Sequence, residues 1–193
     1  MMIKKLLKAP GIIWRYVFVR VFSLYYYDPK YLKCKWFEKY DSLGYLWAYR
    51  DIWNRIVFKT NKKVPFPASP LNSYGDSRIV FHPDDLNSLA SNSGCYFQTI
   101  GAKIFIGKGT YISSNVGIVT ANHKLSDPDQ HQEGHAVYIG KKCWIGLNSV
   151  ILPGVCLGDN TVVGAGSVVT KSFPEGHCVI VGSPARKIRD IHS

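Results

Sequence analysis

The chain has 193 residues with 24 Lys/Arg and 13 Asp/Glu, so its formal net charge is +11 at pH 7. Because 46% of the residues are hydrophobic and only 19% are charged, a disordered polyelectrolyte is excluded. No uninterrupted apolar run reaches the roughly 18 residues of a membrane span. The positive balance indicates an acidic partner, which can be nucleic acid, an anionic membrane or a phosphorylated small molecule.

Residues 1–70 differ in kind from the rest of the chain. They hold 14 Lys/Arg and 4 Asp/Glu, a net charge of +10 (14 − 4), together with 17 of the 26 aromatic residues. A helix is predicted over residues 41–59, where apolar side chains recur near helical spacing behind a capping Asp41 or Ser42. We therefore expect a basic, aromatic, helical region that ends at the prolines near residue 70.

The apolar stretch 12–27 is interrupted only by Arg15 and Arg20, so it must be buried against something. It can pack on the rest of the chain or on a sister subunit, or it can insert at a bilayer interface, where Trp, Tyr and basic residues are favoured. Nucleic acid is not expected, because no recognised binding module accompanies the charge. A signal peptide is not expected either, because Pro10 and the two arginines break the apolar region.

An aliphatic residue recurs every six positions in the second half of the chain. The series is Ile100, Ile106, Ile112, Ile118, then Ile139, Ile145, Ile151, Leu157, Val163, Val169. This period fits neither a helix nor a simple strand, but it fits short strands and tight turns that stack into a parallel β-helix. Glycine often follows the aliphatic residue and is expected to supply the positive φ of the turns. A β-sandwich fits less well, since its strand spacing varies.

The predicted fold is mainly β. A linker and first irregular coil over residues 71–99 lead into a β-helix over 100–174, and a short tail follows over 175–193. The repeat is interrupted by a polar loop, 120–138, rich in His, Asp and Gln, and such interruptions commonly mark the working face of a solenoid. The five cysteines form no CxxC pair, so we expect reduced thiols in the cytoplasm.

Three segments of this region carry a family resemblance: TANHKLSDP, VYIGKKCWIGLNSVILPGVCLGDNTVVGAGSVVTKSFP and VGSPARKIR. Together they resemble the hexapeptide-repeat acyltransferases, especially the maltose/galactoside O-acetyltransferases and the O-acetyltransferases of capsule and other surface polysaccharides. The resemblance covers about residues 95–190. It implies a left-handed parallel β-helix, a homotrimer with active sites between subunits, and acetyl-CoA as acyl donor with no metal cofactor.

By this resemblance, His123 is the catalytic general base, which suits an imidazole with an unperturbed pKa of about 6.5. Transfer in the family is direct, so no nucleophilic cysteine is required. Trp144 is expected to wall the acceptor or pantetheine channel, and a backbone N–H near Gly146 and Leu147 is expected to stabilise the oxyanion. The predicted coenzyme-binding residues are Gly146, Leu147, Ala165, Thr170, Lys171, Arg186 and Arg189.

The acceptor side departs from the family. The maltose/galactoside branch carries an acceptor-binding carboxylate shortly before the His-bearing coil, whereas residues 95–107 contain no Asp or Glu. Asn92, Ser93 and Gln98 are the candidate sugar contacts instead. We expect O-acetylation of a saccharide in surface polysaccharide biosynthesis, in the cytoplasm or peripherally at the inner face of the membrane.

Three other interpretations stay open. One is N-acetylation of a nucleotide-linked amino sugar, and another is a non-catalytic β-helical scaffold. The third is a zinc site built from His123, His131 and His135, as the γ-type carbonic anhydrases hold zinc with three histidines. Zinc is the less expected of these, because all three histidines lie in one loop.

Overall fold

The computed structural model describes residues 9–191. The parts of the sequence predictions that fall on residues 1–8 and 192–193 lie outside the described residues. Of the helices in the described part, none is both long and apolar enough to cross a membrane.

The N-terminal region is helical, as predicted. Helix α1 spans Ala9–Tyr26 and α2 spans Leu43–Val57, with two short 3-10 helices, Pro29–Leu32 and Lys35–Phe37, between them. Helix α2 lies within the predicted range and begins after Ser42 in an extended conformation. The Ser42 hydroxyl accepts from the Lys39 N–H at 3.0 Å rather than capping the helix.

A buried ion pair joins α2 to the segment that follows it. The Arg55 guanidinium donates to Asp51 at 2.8 Å and to the carbonyl oxygens of Val64 and Phe66 at 3.0 and 2.9 Å. The Tyr27 hydroxyl donates to the same carboxylate at 2.9 Å, which ties α1 into the network. Burial raises the pKa of Asp51, and the adjacent guanidinium opposes that effect.

Past residue 70 the chain forms three parallel sheets. Sheet 1 contains β1 (Ser73–Tyr74), β3 (Tyr96–Gln98), β6 (Gly117–Val119), β11 (Val150–Ile151) and β14 (Val168–Val169). Sheet 2 contains β2 (Ile79–Val80), β4 (Ile104–Ile106), β9 (Val137–Ile139) and β12 (Cys156–Leu157). Sheet 3 contains β5 (Tyr111–Ile112), β10 (Trp144–Ile145), β13 (Val162–Val163), β15 (Cys178–Gly182) and the antiparallel β16 (Ala185–Asp190).

From β4 to β14, apart from residues 123–131, the chain visits the sheets in a constant rotation, 2, 3, 1, so each of these coils adds one strand to every sheet. This is a parallel β-helix with three strands per coil, whose three edges are the corners between sheets. The coils begin before residue 100, at β1, and continue past residue 174 into β15. A short helix, α3 (Asn87–Ala90), and a 3-10 turn, Pro83–Asp85, lie within the first coil.

The six-residue columns are the core of this β-helix. Ile118, Ile145 and Ile151 are completely buried, in line with the inward direction that the period predicts. The small residues at the corners are buried as well, and their hydroxyls are satisfied within the turn. Ser149 donates to the Gly146 carbonyl and Thr161 to the Gly158 carbonyl, both at 2.7 Å.

The predicted role of the repeat glycines is wrong for most of them. Of the six glycines that directly follow an aliphatic residue, only Gly101 has a positive φ. Gly146 is required by close packing instead, because a Cβ there would stand 2.6 Å from the Val163 carbonyl oxygen of the next coil. The positive φ falls two residues later in the turn, for example at Asn148 with φ 58°.

The N-terminal region packs on the first coil of the β-helix. The Trp36 indole donates to the Asp84 carbonyl at 2.7 Å, and Tyr31 stacks on Phe81 with ring centroids 5.0 Å apart. Phe66 joins the same cluster of rings. The N-terminal region therefore covers the N-terminal end of the β-helix.

Candidate active site

The interruption of the repeat is a β-hairpin at the edge between sheets 1 and 2. This loop edge comprises residues 120–136, 152–155 and 170–172. The hairpin strands are β7 (His123–Lys124) and β8 (Asp127–His131), which pair antiparallel. The base of the hairpin is closed where the His135 N–H donates to the Thr120 carbonyl at 2.7 Å. Gln98 holds the same base, since its side-chain oxygen accepts from the N–H groups of Thr120 and Ala121.

His123 is exposed on this hairpin and is oriented by its own loop. Its Nδ1 lies 2.5 Å from the carbonyl oxygen of Pro128. A carbonyl oxygen can only accept, so Nδ1 carries the proton and Nε2 of a neutral ring keeps its lone pair. The His131 ring packs against the His123 ring with centroids 4.4 Å apart. The imidazole is therefore placed to take a proton from a group at the protein surface.

The charged and amide side chains of the hairpin hydrogen-bond to one another rather than to His123. The Lys124 ammonium donates to the Gln130 side-chain oxygen at 2.7 Å, and Gln130 donates to Asp127 at 2.7 Å. Asp127 also accepts from the Asp129 N–H. The orienting partner of His123 is thus a backbone carbonyl rather than a carboxylate.

A second feature, an open cavity of about 220 Å³, lies where sheet 3 meets the edge between sheets 3 and 1. This groove edge comprises residues 113–116, 146–149 and 164–167. The cavity contains four of the predicted residues, Trp144, Gly146, Leu147 and Ala165. Ser113, which the sequence did not single out, completes it and accepts from the Trp144 indole at 3.4 Å. Its walls are largely apolar.

The hydrogen bonds at the groove edge show which backbone N–H groups are free to donate to a ligand. The Gly146 N–H donates to the Val163 carbonyl at 2.9 Å, so it is already used within the β-helix. Within residues 9–191, no acceptor pairs with the N–H of Leu147 or of Ala165. The expected oxyanion donor near Gly146 and Leu147 is therefore best matched by Leu147.

The remaining predicted coenzyme residues lie elsewhere on the surface. Thr170 and Lys171 are exposed at the loop edge, where the Lys171 ammonium lies 5.5 Å from the centre of the Phe173 ring. Arg186 and Arg189 are exposed on β16, along the outer side of sheet 3. The structure does not bring these four residues into the cavity of the groove edge.

The candidate acceptor residues are also used structurally. The Asn92 amide donates to the carbonyls of Ser88 and Ile112, and its oxygen accepts from Asn72. Gln98 is buried beneath the hairpin. Ser93 is half-buried at the groove edge, where its N–H donates to the Ser114 hydroxyl at 3.3 Å.

A carboxylate that the sequence analysis missed lies close to Gln98. Asp76, from the preceding coil, accepts from the Thr99 hydroxyl at 2.9 Å and forms a two-pronged pair with Arg78. These residues line a cavity of about 280 Å³ with Gln98 and Tyr96. The Arg78 guanidinium lowers the pKa of Asp76 to about 2.

The described part of the chain contains neither an arranged metal site nor an activated cysteine thiol. No group of three His, Cys, Asp or Glu side chains there is arranged to hold a metal ion. Burial raises the pKa of four cysteine thiols, those of Cys34, Cys95, Cys143 and Cys178, which disfavours the reactive thiolate.

Comparison with known proteins agrees with this architecture. Residues 136–171 match the family described as the hexapeptide repeat of succinyl-transferase. The matched segment contains the strands β9 to β14, so the sequence similarity lies within the coils. The chain is 43% identical over 94 residues to the galactoside O-acetyltransferase of Lactococcus lactis subsp. lactis, a match that covers 45% of this chain and 44% of that protein. The chain thus spans about half the length of the curated relatives it matches.

Among solved structures, the hexapeptide-repeat acetyltransferase of Vibrio cholerae O1 biovar eltor, complexed with acetyl coenzyme A, superposes with a TM-score of 0.51. It is 25% identical, and the match covers 64% of this chain and 66% of that one. A second structure of the Vibrio cholerae protein gives a TM-score of 0.51 at 26% identity, covering 65% of this chain and 70% of that one. The predicted resemblance to hexapeptide-repeat acyltransferases is therefore confirmed.

Proposed function

We propose that this chain is an acetyl-CoA-dependent O-acetyltransferase that acts on a saccharide hydroxyl. The observation that carries the proposal is the orientation of His123, whose Nδ1 faces the Pro128 carbonyl while Nε2 is left free to accept a proton. The hexapeptide-repeat coils, the galactoside O-acetyltransferase relative and the Vibrio cholerae acetyl coenzyme A complex support the same chemistry.

In this mechanism His123 Nε2 removes the proton of the acceptor hydroxyl as its oxygen attacks the thioester carbonyl carbon. The N–H of Leu147 donates to the oxygen of that carbonyl, on which negative charge develops. The carbon–sulfur bond then breaks, and the imidazolium returns its proton to the departing thiolate. Protons balance over the cycle, because the proton taken from the acceptor hydroxyl is the one returned to the thiolate.

The groove edge fits the pantetheine arm of acetyl-CoA. Its cavity has the mainly apolar walls that a thioester and its chain require, and the Leu147 and Ala165 N–H groups can donate to amide or thioester oxygens. Lys171, Arg186 and Arg189 are exposed cations that suit the coenzyme phosphates.

We propose that the enzyme is a homotrimer, because His123 and the groove lie on different edges of one chain. The loop edge and the groove edge are separated by the full width of sheet 1. A site that uses both requires the loop edge of one subunit to face the groove edge of the next. Such a head-to-tail contact closes into a ring when the rotation between neighbouring subunits closes, and we propose a ring of three, as in the family. We also propose that the β-helix is left-handed, as in the family.

The proposal also covers the acceptor and the cellular location of the enzyme. We propose a saccharide of surface polysaccharide biosynthesis, such as a capsule precursor, modified in the cytoplasm with peripheral contact to the inner face of the membrane. The relative named for galactoside acetylation supports a sugar hydroxyl as the acceptor.

The test is an acceptor screen with acetyl-CoA that follows release of free CoA. We expect turnover with a glycan or its lipid-linked precursor, its loss in His123→Ala, and its retention in His135→Ala, a matched histidine of the same loop. Turnover only with nucleotide-linked amino sugars would replace the proposal by N-acetylation. No CoA binding and no turnover with any acceptor would overturn enzymatic function and favour a scaffold.

A further inference from the structure

Helix α1 exposes an unusually large amount of apolar surface. Trp14 and Val21 are 61% and 60% exposed, and Leu24 and Tyr25 are each 84% exposed. With a helical repeat of 3.6 residues, the exposed apolar positions occupy about half the circumference of α1. Among residues 11–26 of this helix, the exposed large apolar residues are Ile13, Trp14, Val17, Val21, Phe22, Leu24 and Tyr25.

This surface continues onto α2, where Trp53, Ile56 and Val57 are exposed. Phe18 connects the two helices, since its ring stacks on Trp53 at 5.8 Å and on Phe22 at 4.5 Å. We call the exposed surface of both helices the apolar face. A contiguous apolar patch of this kind marks an interaction site rather than scattered surface residues.

Cations border the apolar face. Lys59 and Lys62 line a cavity of about 490 Å³ together with Tyr25 and Ile56. On the other side, Arg20 and Lys33 line a second cavity with Leu24. Aromatic and aliphatic side chains beside lysines and arginines are typical of protein surfaces that lie in the headgroup region of a bilayer.

Exposed carboxylates are lacking on both helices in the part of α1 and α2 that the structure describes. Helix α1 contains no acidic residue, and Asp51 of α2 is fully buried against Arg55. Among the described residues, the two helices therefore present apolar groups and cations without an exposed carboxylate, which complements an anionic partner.

We propose that the apolar face docks on the surface of an anionic phospholipid bilayer, with Lys59 and Lys62 against lipid phosphates. Docking on a second copy through the same face would bring these lysines and Arg20 together with their own counterparts. The rest of the chain offers no net negative charge, since residues 71–193 hold 10 Lys/Arg and 9 Asp/Glu. Helices that carry aromatic and basic residues at their surface lie in the plane of the bilayer interface.

The position of the helices suits this docking. They cover the N-terminal end of the β-helix, and cyclic symmetry would place every copy of that end on the same side of the assembly. Several weak bilayer contacts then act together, which raises the apparent affinity without any new contact. This inference deepens the proposed peripheral location of the enzyme. The docking of a single chain on the bilayer does not depend on its assembly.

The experiment is flotation of the full chain with vesicles of phosphatidylcholine alone and of phosphatidylcholine mixed with phosphatidylglycerol. We expect flotation with the anionic vesicles and release at high salt. Tyr25→Glu should abolish binding, whereas Tyr40→Glu, the same change at an exposed tyrosine outside the apolar face, should not. The pair Lys59→Gln and Lys62→Gln should lower the partition coefficient by about tenfold or more.

Equal partitioning of Tyr25→Glu and the unchanged chain would overturn the proposal, as would failure of the unchanged chain to float. A lower assembly mass of Tyr25→Glu in light scattering would assign the face to contacts between copies. CoA release with a soluble acceptor is measured on the same proteins. If Tyr25→Glu loses flotation but keeps turnover, the substitution affects docking only. If the unchanged chain floats but shows no turnover, the proposed enzymatic function fails and the docking proposal stands.

Discussion

His123 and Pro128 form the contact that determines how this chain can act as a base. The imidazole Nδ1 faces the Pro128 carbonyl at 2.5 Å, within one hairpin, so the proton position on the ring follows from local backbone geometry. Many catalytic histidines are oriented by a carboxylate, but here the three nearest acidic side chains of the loop contact other groups or none.

Replacement of His123 by alanine is expected to lower kcat by about 10²- to 10⁴-fold, the usual contribution of a positioned general base. KM for acetyl-CoA should change little, because His123 lies at the loop edge, whereas the cavity proposed for the coenzyme lies at the groove edge. Steady-state rates of CoA release measure both quantities. His135→Ala is the control, and an equal loss in both variants would show damage to the loop rather than loss of a base.

Mixing two inactive variants tests whether the site is shared between subunits. Ala165→Trp is expected to fill the cavity of the groove edge and prevent coenzyme binding, while His123→Ala removes the base. In randomly mixed trimers about a quarter of the sites combine an intact loop edge with an intact groove edge, so activity should return to about that level. Each variant reassembled alone is the control. Persistent inactivity of the mixture would indicate a site within one chain.

The buried pair of Asp51 and Arg55 is expected to be essential for the N-terminal region. Arg55→Met leaves a carboxylate buried without its counter-charge, which should lower the free energy of unfolding by about 3–5 kcal/mol. Arg50→Met, at an exposed position of the same helix, should change it by less than about 0.5 kcal/mol. Urea denaturation followed by tryptophan fluorescence compares them, and similar midpoints would contradict the prediction.

The pair of Asp76 and Arg78 predicts a pH-dependent stability. The pKa of Asp76 is lowered to about 2, so its stabilising effect is present above the ordinary carboxyl pKa and is lost as the pH falls towards 2. Asp76→Asn should therefore be less stable than the unchanged chain at pH 6, by about 1 kcal/mol or less because the pair is partly exposed. The difference should shrink below pH 4. A constant difference from pH 6 to pH 2.5 would rule this out.

Truncation of Trp144 tests the role of the groove wall. Trp144→Ala removes an exposed ring that lines the cavity beside Ser113 and Leu147, so the Kd for CoA should rise several-fold. Tyr111→Ala removes an exposed ring from the neighbouring strand outside the cavity and serves as the matched control. Isothermal titration with CoA measures the effect directly.

Most of the β-helix could be predicted from the sequence, because the repeat acts through a local physical requirement. An aliphatic residue every sixth position has to point inward, and the buried columns of Ile118, Ile145 and Ile151 follow from that requirement. The polar loop at the interruption and the helix near residues 41–59 follow from similarly local patterns. The glycine prediction failed because Gly146 is constrained by the next coil rather than by its own turn.

Other features depend on contacts between residues far apart in sequence. Asp76 reaches Thr99 only because successive coils stack, so the absence of a carboxylate from residues 95–107 gave an incomplete picture of that surface. The sequence did not show which side of α1 is exposed either, because that stretch is apolar almost throughout.

The sequence by itself determined the repeat, the family and the chemical types of the candidate residues, since each is written in local order along the chain. Only the tertiary structure decided that His123 and Ala165 lie on different edges, that Leu147 rather than Gly146 has a free N–H, and that Tyr25 faces outward. The physical reason is that these properties arise from the stacking of coils and helices, and stacking sets which groups are covered and which are left to a partner.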